Sequence, residues 1–517
     1  MKNYSRREFI KRLSLGTAGA TLGLAASSSL AQMMGGGGGG MGGGGMGGST
    51  GTTVIDPPAG AVFADPLELR NFSTIPGIVE VDLEAKPAWV NVNGTLANLL
   101  TYNGSFPAPT IRAKKGDTLR IHLKNSLPMM GTNILGHHRE MTNLHTHGLH
   151  VSPSGNADNM MVMLMSGDTF DYEYDLSMQD PGTINFYHPH THGSVAEQYW
   201  GGMAGALLVE DDIQALTALE THTMFIKDIT LAGGAPEPYT SLMDYMHGKE
   251  GDTVMVNGQV NPVLPIKPGQ VQRWRIVNAC NARFLKLGLE GHTLQIIGTE
   301  GGLLKNPYPV SSVLLSPGER LDILVKANQT TRNYRLLALP YSRQGNTGSR
   351  QVTLMTLSYK GSRVNDTVPS IINTAAARIN PPVAKTERLV LSMGQGKGYI
   401  NGISFSMENY YTIHSHVGTY EIWEITNQSG MDHPFHQHVN GCQVLSITGG
   451  DPAYALFLTR SPAWKDVVIV PKWGIVKMLV PVMDYSGMAM FHCHIIEHED
   501  IGMMGVWDIM DGEMGGR

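Results

Sequence analysis

Three stretches of this 517-residue chain repeat one pattern, and that pattern constrains the fold more than any other feature. They read YNGSFPAPTIRAKKGDTLRIHLKNSL, VNGQVNPVLPIKPGQVQRWRIVNAC and INGISFSMENYYTIHSHVGTYEIWEITNQS. Each contains an Asn-Gly turn: Asn103-Gly104, Asn257-Gly258 and Asn401-Gly402. Each then has a turn glycine (Gly116, Gly269, Gly418) followed nine residues later by an asparagine (Asn125, Asn278, Asn427). Between glycine and asparagine the residues alternate, which is the period of a strand with two different faces. The copies recur at roughly 150-residue spacing, so three tandem domains are expected. With 62 glycines and 28 prolines the chain is turn-rich, and the class expected is all-β, three β-sandwiches with boundaries near 215 and 375.

The ends of the chain say where it works. The start, MKNYSRREFIKRLSLGTAGATLGLAASSSLAQ, pairs Arg6 and Arg7 ahead of a mildly apolar run and a small-residue cleavage pattern at Ser29 and Ala31. Residues 1–31 are therefore expected to be a twin-arginine signal peptide, read by the twin-arginine export machinery and delivering a periplasmic protein. Its removal takes away five basic residues and one acidic, moving the formal net charge from −6 to −10. So acidic a chain is not expected to bind nucleic acid. Residues 32–58 begin as a glycine and methionine tract too poor in apolar side chains to build a core, and are expected to be a flexible segment. No long uncharged apolar run lies in the body, so no membrane span is expected.

The chemistry sits in four histidine motifs: HTHG at 145–148, HPHTHG at 188–193, HPFHQH at 433–438 and HCHIIEH at 492–498. On a strand, residues i and i+2 share a face, so an H-x-H presents two imidazoles side by side. His145/His147, His188/His190, His436/His438 and His492/His494 make four such pairs, enough for about three metal ions of the copper, zinc, iron or nickel class. The middle of the three expected domains has only His222, His247 and His292, scattered, so domains one and three should build the site around a spacer. Only Cys280, Cys442 and Cys493 exist. If His492 and His494 face one side of their strand, Cys493 faces the other. With His433, His498 and a weak axial Met503 it completes the ligand set of a blue-copper electron-transfer site. The other two cysteines are read as buried thiols or one disulfide.

These motifs, with VNGQVNP, NARF and SPGERLDILV, resemble those of three-domain bacterial multicopper oxidases: periplasmic copper oxidases and bacterial laccases. The resemblance covers roughly 60–510 and implies three cupredoxin-like Greek-key sandwiches, at 59–215, 216–375 and 376–517. It implies four copper ions: type 1 on His433, Cys493, His498 and Met503; type 2 on His145 and His436. One type 3 ion would sit on His147, His188 and His494, the other on His190, His438 and His492. It further implies that dioxygen is reduced to water with four electrons from a small reducing substrate. Asp158 and Glu499 match the family's acidic residues beside the cluster and are expected to donate protons. Asp158 is followed by Asn159, where the family often has glycine.

The donor is the less determined part. Methionine is abundant, 30 residues, and thioether sulfur selects Cu(I). Met431, two residues before His433, resembles a methionine that holds substrate copper in the periplasmic copper oxidases. The expected donor is therefore Cu(I) or another metal ion. A laccase acting on phenols is the alternative, and a non-catalytic copper-binding protein is a third reading that the complete ligand set opposes. No long methionine-rich insert is present in the third domain. His414 and His416, in IHSH, are expected in a solvated loop. His137, His138, His150 and His192 are expected around the site or at the surface. The chain is expected to act as a monomer.

Overall fold

A computed structural model describes residues 53–344 and 350–512. The expected signal peptide and residues 32–52 lie outside the described residues. The fold is built almost wholly from strands, arranged as three consecutive pairs of facing sheets.

The first pair is two four-stranded sheets. One joins Ile78–Val92, Thr95–Tyr102, Thr118–Asn125 and Thr169–Asp175; the other joins Ala108–Lys114, His145–His147, Ile184–His188 and Gly205–Glu210. The middle pair is two six-stranded sheets, and the third is two five-stranded sheets. In each domain the first long strand runs parallel to the strand that ends in the repeated asparagine. These pairs are Ile78–Val92 with Thr118–Asn125, Glu220–Ile229 with Val271–Asn278, and Lys385–Gly394 with Thr419–Asn427.

The repeat has a physical cause. Asn103, Asn257 and Asn401 all have φ near +50°, a left-handed conformation that asparagine tolerates. Their side-chain oxygens accept from the backbone N–H of Glu84, Phe225 and Val390 at 2.6–2.7 Å, tying the turn to the first strand. Gly116, Gly269 and Gly418 have φ of +88°, +84° and +88°, which a side chain would oppose. The second asparagine of each repeat is buried. Its amide donates to two loop carbonyls, those of Glu140 and Leu164, Arg283 and Leu315, or Met431 and Val470. The repeat thus marks the places where each sandwich ties its crossing loops to its central strand.

Two features differ from the sequence reading. Thr53–Ile55 is a strand, paired in parallel with Arg350–Val352 of the middle domain, so the last part of the 32–58 segment is held rather than loose. Gly60 and Phe63 also bond to the middle domain. His414 and His416 lie in a strand, Thr412–His416, parallel to Met504–Met510. Both histidines face solvent, with His414 beside Asp508. All three cysteines are free and buried. No helix among the described residues is long and apolar enough to cross a membrane.

Buried charge ties the domains together. Arg273 bonds Asp211 and Asp322, and Arg275 reaches Glu210, where the first domain meets the second. Lys465 of the third domain is held by Glu300 and Glu319 of the second, and Asp466 by Arg320. These pairs tie both outer domains to the middle one.

Candidate metal centre

The four motifs meet where domains one and three touch. His145 and His188 are direct partners across an antiparallel pair, as are His436 and His492. Each H-x-H is on or at the end of a short strand that is buried where it carries its histidines, which fixes two imidazoles on one face. Opposed strand pairs therefore aim their histidines into one space.

Three groups made wholly of histidines bring metal-ligating atoms within 4.8 Å of one another there: His145, His147 and His436; His147, His188 and His494; His190, His438 and His492; a further group mixes His145 and His438 with Asp158. The His190 and His492 Nε2 atoms are 3.1 Å apart, those of His438 and His492 3.4 Å, and those of His145 and His436 3.4 Å. The outward nitrogens show which atoms carry the lone pairs. His188, His436 and His492 donate from Nδ1 to the backbone carbonyls of Pro189, Asp466 and Cys493, and His145 donates from Nδ1 to Asp158 at 2.9 Å. A neutral imidazole has one N–H, so each Nε2 of these rings presents a lone pair inward. His147 is reversed: Nε2 meets Asp466 at 3.1 Å and Nδ1 has no partner. His188 Nε2 and both nitrogens of His494 are also unpartnered and buried. Buried lone pairs crowded this closely are costly without a cation to share. The residues fit a cluster of imidazole-loving metal ions.

A separate group lies on the other side of His492 and His494: His433, Cys493 and His498. Cys493 Sγ is 3.4 Å from His433 Nδ1 and 3.5 Å from His498 Nδ1, and the two nitrogens are 3.2 Å apart. His498 Nε2 donates to the Met246 carbonyl, so its Nδ1 is a lone pair as well. Ser429 Oγ lies 2.7 Å from His433 Nε2. Met503 is fully buried; its N–H bonds His498 O and its carbonyl receives the Cys493 N–H. Two imidazoles and a thiol with a buried thioether nearby are a soft donor set suited to copper.

Burial, reinforced by neighbouring imidazoles, holds His145, His147, His190, His436, His492, His494 and His498 well below the ordinary histidine range. Burial brings His188 and His433 down to about 3. These rings are neutral at physiological pH, the form a metal requires. Burial pushes the Cys493 thiol up, so the metal-free site holds a proton there.

Both expected carboxylates border the histidine space. Asp158 contacts His145 and the Thr146 N–H and lies 3.5 Å from His438 Nδ1. Glu499 lies 3.3 Å from His190 Nδ1 and His492 Nδ1, with neither oxygen in an aligned hydrogen bond. Burial, then Asp500, raises Glu499 well above the usual carboxylate range. The sequence reading missed Asp466, which contacts His147, His436 and Arg320 at once, and Ser429 and Met246, which hold the outer nitrogens of His433 and His498. Met431 is buried and its sulfur accepts from the Arg343 guanidinium at 2.9 Å, which opposes a second cation there. Around the site, His150 bonds the Val439 carbonyl and Asp484, His138 pairs with Glu140, and His137 rests edge-on against His192.

Sequence-family models described as multicopper oxidase match residues 84–214, 220–362 and 378–513. The multicopper oxidase mco of Staphylococcus aureus is 30% identical over 421 residues, covering 80% of this chain and 84% of that protein. A laccase of Bacillus stratosphericus is 26% identical over 473 residues, covering 80% and 91%. Among solved structures, a Campylobacter jejuni multicopper oxidase described as a metallo-oxidase superposes with a TM-score of 0.76 at 27% identity, over 89% of this chain and 98% of that one. With three matching domains and the donor set of copper sites, this chain belongs to the multicopper oxidases, copper-dependent oxidoreductases that use dioxygen as acceptor.

Proposed function

We propose that the chain holds four copper ions and oxidises a metal ion, Cu(I) foremost, at the expense of dioxygen. His433, Cys493, His498 and Met503 would hold the type 1 ion, and His145 and His436 the type 2 ion. His147, His188 and His494 would hold one type 3 ion, and His190, His438 and His492 the other. The convergence of unshared imidazole lone pairs on these points supports the assignment. Copper bound there supplies one-electron chemistry, collecting four electrons singly and delivering them together to dioxygen, which becomes two waters.

The protein's own groups do the rest. The backbone of Cys493 joins the type 1 thiol directly to His492 and His494, giving the electron a covalent path between the two centres. Asp158 keeps His145 in the tautomer that aims Nε2 inward. Glu499, uncharged through burial, stands ready to release a proton beside His190 and His492.

The donor reading rests on the cover over the type 1 site. His433 and His498 are wholly buried, so a donor cannot touch either ring. The helix Leu242–His247 closes over His498, its Met246 carbonyl receiving His498 Nε2–H. That helix carries Met243, 55% exposed, the half-buried Met246 and the exposed His247. Thioethers at the mouth of the site favour a soft cuprous ion. A laccase acting on phenols is the second reading, supported by the stacked Phe284 and Tyr341 in a cavity beside the same helix.

Export through the twin-arginine machinery to the periplasm, and action as a monomer, complete the proposal. Oxygen uptake by the copper-loaded protein tests it. Fast uptake with a Cu(I) complex, and phenol turnover only when Cu(II) is added, are expected. Fast phenol turnover without added copper, with slow Cu(I) turnover, would replace the metal-ion reading by the laccase one.

A further inference from the structure

The third histidine of HPHTHG, His192, belongs to none of the histidine groups around the metal centre. It rests edge-on against a second unused histidine, His137, with ring centroids 5.4 Å apart and planes at 76°. Pairs assigned above to one copper ion have similar spacing: 4.8 Å for His190 and His492, 5.1 Å for His433 and His498, 5.6 Å for His188 and His494. Both rings of the outer pair are short of partners. His192 Nδ1 is buried without one, and among the described residues no hydrogen bond or ion pair reaches any ring nitrogen of His137 or His192. His138, His150 and His222, by contrast, each bond a carboxylate. A neutral imidazole carries one lone pair, so this pair offers two that no described group of the protein uses.

A shaped turn fixes the pair. Asn133 accepts the N–H groups of Leu135 and His137 at 3.0 Å and donates to the Gly193 carbonyl at 2.6 Å, so the loop bearing His137 is tied to the residue after His192. Gly193 has φ of +84°, and a Cβ there would lie 2.2 Å from the His137 ring. Only glycine lets that ring come so close. Asp500 accepts the Gly193 N–H at 2.6 Å, joining the turn to the third domain. On its other side His192 meets Phe405 edge-on at 4.9 Å. Phe405 packs in a small cluster with Met160, Met490 and Met504. On the strand Gly487–Cys493, Met490 shares a face with His492. The pair therefore lies at the seam of domains one and three. His137 and His192 are half-buried, whereas the cluster histidines are buried.

We propose that His137 and His192 form a further copper site, which takes one cuprous ion from solution and supplies it to the neighbouring histidine cluster. Two imidazoles with aromatic and thioether neighbours suit a soft ion that accepts few ligands. Zn(II) asks for four ligands and would find two. An ion bound for the cluster must leave water for buried imidazoles, and His192 stands two residues along the chain from His190. Binding and passage involve no redox step: the ion stays Cu(I). The inference rests on the copper cluster proposed above and not on Cu(I) as the electron donor.

The test uses the copper-loaded full chain, reduced under argon, competing for added Cu(I) against the chelator bicinchoninate. Wild type is expected to take one ion per chain more than His137→Ala or His192→Ala. The glycine and methionine tract is common to all three, so its uptake cancels in the difference. Blue absorption on readmitting oxygen should be equal in all three, which shows the variants folded with their resident ions in place. If His192→Ala fails to fold, His137→Ala carries the test, because its loop holds no ligand of the cluster. Equal uptake by wild type and His137→Ala would overturn the site. Zn(II) taken up with the same one-ion difference would overturn the cuprous assignment. The supply role has its own readout. Metal-free protein given Cu(I) and then oxygen should regain the paramagnetic type 2 signal several times more slowly in His137→Ala, to the same final size. An equal rate would overturn that role alone. A wild type that holds no copper among the cluster histidines sinks the copper assignment beneath both proposals. Slow Cu(I) oxidation with the one-ion difference intact sinks the metal-ion reading alone.

Discussion

At the scale of the residue, the site is decided by what each side chain can do with its second polar atom. Cys493 lies between two histidines that face the other way, because a strand alternates its faces. Its sulfur lies on that face, 3.4 Å from His433 Nδ1 and 3.5 Å from His498 Nδ1. Cys493→Ser removes the thiolate while leaving His492 and His494 in place. The expected result is loss of the intense blue absorption with copper still bound at the histidine cluster, read by visible and electron paramagnetic resonance spectra. A blue variant would show that another residue is the type 1 thiolate. The histidine pairs that meet in the structure were legible in the sequence, because i and i+2 spacing fixes a shared face without knowing the fold. Ser429, Met246 and Asp466 were not. Each touches a ligand histidine through a contact whose sequence separation is 4, 252 or 319 residues, and no local period marks such a contact.

At the scale of the element, the repeated asparagines carry the argument. Asn427 donates to the carbonyls of Met431 and Val470 and accepts from the Ser429 N–H, so it shapes the loop that presents His433. Asn125 makes the equivalent bonds in the first domain, to Glu140 and Leu164, with no type 1 ligand attached. Alanine at either position strands two buried carbonyls and is expected to cost about 2–4 kcal/mol, measured by urea unfolding. Only Asn427→Ala should also shift the blue absorption band; a shift of equal size in Asn125→Ala would contradict the loop-shaping role. The strands themselves were readable from alternation in TLRIHLKN and VQRWRIVN. The strand Thr412–His416 was not, because its H-x-H looks like a ligand pair without a matching partner strand. Pairing with Met504–Met510 decides its place.

At the scale of the molecule, the copper centre depends on three domains held in register by buried charge. Lys465 sits between Glu300 and Glu319 at 2.8 and 2.6 Å, beside Asp466, which contacts His147 and Arg320. Lys465→Ala leaves two buried carboxylates without their cation and is expected to destabilise the protein by about 3–5 kcal/mol, seen in the thermal midpoint. A change within error would mean that the domains are held mainly by apolar contact. The metal-free protein should also be acid-sensitive. Burial lowers His188 and His433 to about 3, whereas the unfolded chain protonates its histidines near 6.5. The unfolded state therefore takes up more protons below pH 6.5. The stability these rings contribute is present above that value and declines towards pH 3, by about 1.4 kcal/mol per pH unit for each such ring. The urea midpoint of the metal-free protein should fall between pH 7.5 and 5.5, and copper should blunt the fall; a flat profile would mean that these rings are protonated in the folded state. The sequence by itself determined the three sandwiches, the histidine pairs that converge and the separation of Cys493 from its neighbours, because turn chemistry and strand alternation are local and periodic. Only the tertiary structure decided which nitrogen each ring turns inward, that the helix Leu242–His247 covers His498, and that Arg343 meets Met431. Many of those contacts join residues far apart in the chain, such as Met246 with His498 and Arg343 with Met431, and the rest depend on side-chain rotation, which no local period encodes.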